Sequence, residues 1–329
     1  MSTDSQPLVS IVTPTLNQGR FIEQTIRSIE SQTYRHFEHI VVDGGSTDET
    51  LDILGRHAGT YPMRWTSEPD RGMYDAINKG MRQASGQILA YLNSDDLYFP
   101  WTLEVIVDEF ERHPEADLVF GDGLGIQDET GHEDVRFQPS FRYDFLLRSG
   151  SFVQPSVFWR RSVWEDVGEF NQAYRLAGDL DFWLRIGPDR RYRKVDELLS
   201  VERDHLDTKR SSQWNALMQE SAACRAPFDH AAPFRRRAGL IAGRFRAWWA
   251  RRVYWARFAR ESGRRPASRR RSWARYLAAS DVRLSRGRLL AAQVPWLGRR
   301  IASGTLDSGV DWLRGGVAKG DLGSSDPGR

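Results

Sequence analysis

The chain has 329 residues, 40% of them hydrophobic and 28% charged, with one cysteine and a formal net charge of +3. That length accommodates one large α/β domain with an appendage, or two domains, and the composition is ordinary for a soluble globular protein. A single thiol, Cys224, excludes an internal disulfide or a thiolate metal cluster and fits a reducing compartment. The opening MSTDSQPLVS lacks the basic and apolar regions of a signal peptide, and no run of about 18 apolar residues is present to span a membrane.

Taken in order, Leu8 to Thr13 is a short β-rich run ended by Pro14. Asn17 to Ser31 has helical spacing, with Phe21, Ile22, Thr25, Ile26 and Ile29 on one face. Phe37 to Val42 reads as a second strand, closed by Asp43-Gly44-Gly45. Ser46-Thr47-Asp48-Glu49 has the pattern of a capping box opening the next helix. A third strand is expected near Met63 to Trp65, a helix over Asp75 to Ser85, a fourth strand over Ile88 to Leu92 and a helix over Thr102 to Arg112. Leu118 to Gly121 reads as another strand. Phe152 to Trp159 reads as a strand interrupted by Pro155, which suits an edge or a bulge. Arg161 to Val167 and Asp179 to Ile186 read as helices.

Strand–helix alternation of this length predicts an α/β fold with a mostly parallel, doubly wound, Rossmann-like sheet, whose ligands sit beyond the carboxyl ends of the strands. Thr13, Asp43 and Asp95-Asp96 each follow a predicted strand there and should converge on one crevice. The doublet lies in Asn93 to Pro100, NSDDLYFP, directly after an apolar strand. Two adjacent carboxylates repel one another, and burial adds a desolvation cost, so a cation or donor is expected to offset them.

The segments SIVTPTLNQGRFIEQTIRSI, VVDGGSTDET, SEPDRGMYDAINKG, ILAYLNSDDLYFP, FVQPSVFWR, AGDLDFWLR and LSVERDH together resemble the family-2 glycosyltransferases, over residues 8 to 210. The resemblance implies the GT-A fold and inverting transfer from a nucleotide-diphosphate sugar, with Mn²⁺ or Mg²⁺ as cofactor. It assigns Asp96 to the metal and Asp95 to the ribose hydroxyls. Asp43 recognises a uracil-like base, Thr13, Pro14 and Asn17 line that pocket, and Arg71 and Lys79 are cations near the donor. Lys79 is equally readable as a solvated helix residue. His205 aligns with a histidine that closes over the metal or diphosphate, and neutral imidazole suits Mn²⁺. Asp179 matches the catalytic base, with Asp181 as its competitor, and Gly178 stands where a glutamate is common. Gln154 and Trp183 mark the acceptor side, Trp183 also being readable as core.

Such chemistry needs these residue types. A departing nucleoside diphosphate carries charge that a hard cation on carboxylate oxygens can stabilise, while one base takes the proton of the acceptor hydroxyl. The implied partners are a nucleotide-sugar donor, UDP-sugars being favoured, and a glycan or lipid-linked acceptor in cell-envelope polysaccharide synthesis. A sugar nucleotidyltransferase would need a Gly-rich loop after the first strand, which TPTLNQGR does not supply. A degenerate scaffold would have lost carboxylates that are all present.

The small net charge conceals a division. Residues 1–223 hold 23 Lys and Arg against 37 Asp and Glu, a net −14, whereas residues 224–329 hold 24 against 7, a net +17. The expected organisation is a catalytic domain over 1–223, an Arg/Trp-rich helical extension over 224–319 and a disordered tail over 320–329. Within 235–300, arginine clusters interleave with Trp248, Trp249, Trp255, Trp273 and Trp296, a composition that suits an interfacial helix on an anionic membrane. Packing against the catalytic domain, self-association and nucleic-acid binding are the alternatives, the last disfavoured by the absence of a base-reading module. The expected location is cytoplasmic, peripheral on the inner face of the membrane.

Overall fold

Strand β1 (Val9–Thr15) is buried along its whole length. Val9 and Ile11 point into one hydrophobic core and Val12 into the other, as the period of two requires. In the computed structural model the described residues are 6–128, 132–136, 138, 143–148, 151–206, 208 and 212–228. The Arg/Trp-rich run over 235–300 and the expected tail over 320–329 lie outside them, as do Asp207 and Lys209.

Helix α1 (Gly19–Glu30) buries the face expected from its spacing, including Phe21, Ile22, Thr25, Ile26 and Ile29. It is followed by β2 (Phe37–Asp43), α2 (Thr50–His57), β3 (Met63–Ser67), α3 (Met73–Gln83) and β4 (Ile88–Tyr91). These strands form the parallel half of the sheet, in the order β3-β2-β1-β4. Thr15 pairs in register with Asp43, so the two stand side by side at the carboxyl edge.

The chain continues through β5 (Leu97–Tyr98), α4 (Thr102–Arg112), β6 (Leu118–Gln127), β7 (His132–Arg136), α5 (Tyr143–Arg148), β8 (Val157–Arg160), α6 (Arg161–Val167), α7 (Gly178–Ile186), β9 (Tyr192–Asp204) and α8 (Trp214–Arg225). The full order is β3-β2-β1-β4-β8-β6-β9-β5, with β7 also on β6. Beyond β4 the sheet is mixed: β8 is antiparallel to both β4 and β6, β7 to β6 and β5 to β9, while β6 and β9 are parallel. The α/β class and its parallel first half match expectation; the second half is less parallel than the alternation implied.

Two cores flank the sheet. Ile22, Ile26, Leu54, Leu103 and Ile106 place α1, α2 and α4 on one side. Tyr74, Ile77, Trp164, Leu180 and Trp183 place α3, α6 and α7 on the other. Each fully buried aliphatic or aromatic side chain contributes roughly 1.5–3 kcal/mol, so both layers are held mainly by burial.

Two expectations are corrected. Val157–Arg160 is an interior strand, not an edge, because Pro155 sits in a one-turn 3₁₀ helix (Gln154–Ser156) before it, where a missing N–H breaks no ladder. The capping box does not close: Ser46 Oγ donates to Asp43, and α2 begins without a side-chain cap. Helix α8 spans Trp214–Arg225 and buries Cys224. No described helix is long and apolar enough to cross a membrane.

Candidate active site

The turn after β4 brings Asn93, Asp95 and Asp96 to the carboxyl edge, and two other elements hold it there. From α1, the buried Thr25 hydroxyl donates to the carbonyls of Ser94 and Asp96 at 2.8 and 2.9 Å. From β9, the Arg203 N–H donates to Asp96 Oδ1 at 3.0 Å and its Nε to the Asp95 carbonyl at 3.1 Å. The same guanidinium reaches Asp128 and Gln24 and lies 5.1 Å from the Phe21 ring centre. Arg203 therefore braces the turn through its backbone N–H and its Nε, while its charge pairs with Asp128.

Just past β9, His205 is 4% exposed, with its ring on Phe21 and its Nε2 3.3 Å from Asp95 Oδ2. Its buried Nδ1 has no hydrogen-bond partner, nor does Asn93 Oδ1. Asp96 is turned inward, Oδ1 to Arg203 and Oδ2 to Asn93 Nδ2 at 3.3 Å, so Asp95 is the carboxylate that faces His205.

These groups fit a hard divalent ion. Two ligands at right angles around an ion with bonds of about 2.0–2.1 Å stand about 3 Å apart, close to the Asp95–His205 separation. No group of three or more His, Cys, Asp or Glu arranged to hold a metal is found among the described residues. An ion that keeps waters and takes diphosphate oxygens needs only one or two protein ligands.

At the end of β2, Asp43 is fully buried and its carboxylate accepts from Gly45 N, Ser46 N and Ser67 Oγ at 2.7–2.9 Å, and from Ser46 Oγ. Three of these bonds fall on Oδ2 and one on Oδ1, so the carboxylate braces the loop and Oδ1 keeps an acceptor site. Thr13 Oγ1 is bonded to His39 Nε2 at 2.9 Å. Pro14 is buried beyond the last β1–β4 pairing, Val12 with Tyr91. Asn17, at φ 52°, joins the loops, its N–H donating to Ser46 Oγ and its Oδ1 accepting from Thr47 N. Beside them Thr15 presents a buried hydroxyl with no partner, a candidate that reading Thr13 had missed.

Midway along α3, Lys79 is engaged by Glu68 at 2.9 Å and Asp75 at 3.7 Å, so its charge is used inside the protein. Arg71 is exposed, 3.6 Å from Asp75, and borders a groove lined also by Tyr74, Tyr174, Arg175 and Gln213.

Asp179 opens α7 half-buried, its N–H donating to Tyr74 Oη at 3.2 Å, with that oxygen 3.5 Å from Oδ1. A Cβ at Gly178 would come within 2.6 Å of the Tyr74 ring, so glycine makes room for the tyrosine. Asp181 is paired with Arg185 at 2.8 Å and buried, which removes it as the competitor. Trp183 is fully buried against Phe152, Trp159 and Phe182; it is core and does not line an acceptor pocket.

Tyr91 ends β4, just before the Asp95-Asp96 turn. Burial pushes the Tyr91 phenol well above its ordinary pKa, and the charges of Asp179, Tyr74 and Asp96 add to this. Gln154 completes the connection, donating to the Tyr91 carbonyl at 2.9 Å and accepting from Asn93 at 3.2 Å. Asp179 and Asp96 thus both lie within electrostatic reach of the buried Tyr91.

Known proteins match this description. The profile of Glycosyl transferase family 2 covers residues 10–166. A PGL/p-HBAD biosynthesis glycosyltransferase of Mycobacterium bovis is 36% identical over 182 residues, 54% of this chain and 69% of the relative. The putative glycosyltransferase EpsE of Bacillus subtilis is 30% identical over 217 residues, 64% of this chain and 78% of that one. Among solved structures, S. aureus TarS 1–349 in complex with UDP-GlcNAc aligns at TM-score 0.54 and 16% identity, over 94% of this chain and 87% of that one. The mannosyltransferase PcManGT of Pyrobaculum calidifontis, in complex with GDP-Man and Mn²⁺, aligns at 0.54 and 20%, over 95% and 86%. The structural likenesses speak to the fold, and the closer sequence relationships to descent: this chain belongs to glycosyl transferase family 2 and is a glycosyltransferase of the GT-A fold.

Proposed function

We propose that this glycosyltransferase is metal-dependent and inverting, and moves a sugar from a nucleotide-diphosphate sugar, a UDP-sugar being favoured, to a glycan or lipid-linked saccharide in cell-envelope polysaccharide synthesis. The observation that carries the reading is the approach of Asp95 Oδ2 and His205 Nε2 to 3.3 Å at the carboxyl edge of the sheet. Two structural neighbours were solved with UDP-GlcNAc and with GDP-Man and Mn²⁺, which supports a nucleotide-sugar donor.

In this reading Asp95 and His205 hold the cation, with Asp96 bracing the turn, and the imidazole ligand favours Mn²⁺ over Mg²⁺. When bound, the ion is a Lewis acid that stabilises the departing diphosphate. Asp179 takes the proton from the acceptor hydroxyl as that oxygen bonds to the anomeric carbon. The bond to the diphosphate oxygen breaks with its electron pair, and configuration inverts in a single displacement. Asp43 recognises the nucleotide base, Thr13, Pro14 and Asn17 line its pocket, and Arg71 is a cation near the donor. Gln154 belongs to the acceptor side. Residues 235–300 are proposed to dock on an anionic membrane surface at its cytoplasmic face.

A thermal-shift panel of UDP-, GDP- and dTDP-sugars, with and without Mn²⁺, tests the donor reading. A true donor raises the melting temperature by mass action, and does so only with the metal. Equal stabilisation with and without Mn²⁺ would remove the metal from the proposal. Co-sedimentation with anionic liposomes, with and without residues 229–329, tests the membrane surface; equal pelleting rules the extension out as an anchor.

A further inference from the structure

The turn that delivers Asp179 is gripped from two sides by residues far away in the sequence. On one side Glu220 of α8 accepts three consecutive backbone N–H groups, from Arg175 at 3.0 Å, Leu176 at 2.7 Å and Ala177 at 3.1 Å. These groups lie at the entrance to α7, where no intrahelical carbonyl can serve them. A carboxylate receiving them makes charge-assisted bonds, stronger than neutral ones. Four residues on, and so on the same face of α8, Cys224 Sγ lies 3.4 Å from the Ala177 carbonyl.

On the other side stands Tyr74. Its hydroxyl accepts the N–H of Asp179 and can direct its own proton at Oδ1, 3.5 Å away, the outer limit of a hydrogen bond. The ring stacks on Phe170 and is 3% exposed, so it cannot swing away, and Gly178 gives it the space it occupies.

We propose that Glu220 and Tyr74 are positioning residues for the Asp179 carboxylate, fixing where the base stands without touching substrate. This rests on Asp179 being the base. Glu220 fixes the path of the chain into α7, and Tyr74 fixes the first residues of the helix. A displacement of about 1 Å at a reacting group costs on the order of 10²-fold in rate. Because the bonds of both residues go to the turn that carries Asp179, their loss is expected in kcat more than in the donor KM.

The test uses the full chain with Mn²⁺ and Asp179→Asn, Tyr74→Phe, Glu220→Ala and Glu220→Gln. Nucleoside diphosphate release from UDP-N-acetylglucosamine and GDP-mannose gives turnover, and amide hydrogen exchange over residues 175–181 gives local order without any turnover. Tyr74→Phe and Glu220→Ala are expected to lower kcat by about 10- to 100-fold, more than they change the donor KM. Glu220→Gln should recover part of the loss, and neither change should cost more when added to Asp179→Asn. Exchange should quicken at 175–177 in Glu220→Ala and at 179 in Tyr74→Phe. Turnover surviving in Asp179→Asn removes the base assignment itself. An inactive Asp179→Asn alongside wild-type kcat in both other variants overturns the positioning proposal alone. So does unchanged exchange at those amides, which decides the matter even if neither probe donor is accepted.

Discussion

Asp95 and His205 are 110 residues apart in the chain, yet Oδ2 and Nε2 stand 3.3 Å apart at the carboxyl edge of the sheet. The approach is produced by β9, which runs from Tyr192 to Asp204 alongside β6 and releases His205 where the turn after β4 emerges. Substituting His205→Gln is expected to lower Mn²⁺ affinity in the presence of UDP by at least about tenfold while leaving the fold intact. Titration calorimetry checks this, and unaltered Mn²⁺ affinity would take His205 out of the ligand set.

The two aspartates of α7 should separate cleanly. Asp179→Asn is expected to abolish turnover and spare the donor-induced rise in melting temperature. Asp181→Asn breaks a buried pair with Arg185 and should cost about 1–3 kcal/mol of stability with the chemistry retained. Denaturant midpoints and turnover measured on the same preparations distinguish them; the opposite pattern would exchange their roles.

Gly178 admits no side chain without moving Tyr74. Gly178→Ala is therefore expected to lose about 1–3 kcal/mol by overpacking. Turnover should fall with it, because the displaced ring carries the hydroxyl that holds Asp179. A variant with wild-type stability and rate would mean that the ring shifts freely.

His39 gives a pH signature unrelated to catalysis. It is fully buried between Thr13 Oγ1 at 2.9 Å and Tyr61 Oη at 2.6 Å. Burial pushes its pKa down from 6.5 to about 3. A depressed folded-state value means the unfolded chain takes up the proton first, so stability is present above pH 6.5 and is lost as pH falls towards 3. Replacing it by glutamine, which keeps an acceptor and a donor, should flatten the melting temperature against pH between about 6.5 and 4. Parallel curves for wild type and variant would show that another group governs the acid limb.

Much of this arrangement could be read in advance, and the omissions have physical causes. Thr102–Arg112 and Arg161–Val167 form helices over the residues expected, since apolar spacing and flanking residues agree there. The carboxylates at strand ends were legible because a parallel sheet gathers such ends together. By contrast β9 was not seen as a strand: Lys194, Asp196, Glu197 and Arg203 break its apolar alternation, and its pairing with β6 shifts register around Asp122. The position of Asp43 and Thr13 at strand ends was legible, but position does not reveal that Ser46, Ser67 and His39 bond to them. Glu220 left no local trace, because its partners are backbone groups more than 40 residues away.

Cys224, buried on the inner face of α8, is the single thiol of the chain, and burial pushes its pKa up to about 12. A buried thiol whose ionisation is suppressed reacts slowly with alkylating dyes in the native protein. A cysteine introduced anywhere in residues 229–329 would then be labelled alone. Fluorescence from that dye could follow the arginine-rich segment onto vesicles against a dark background, without first removing the native thiol.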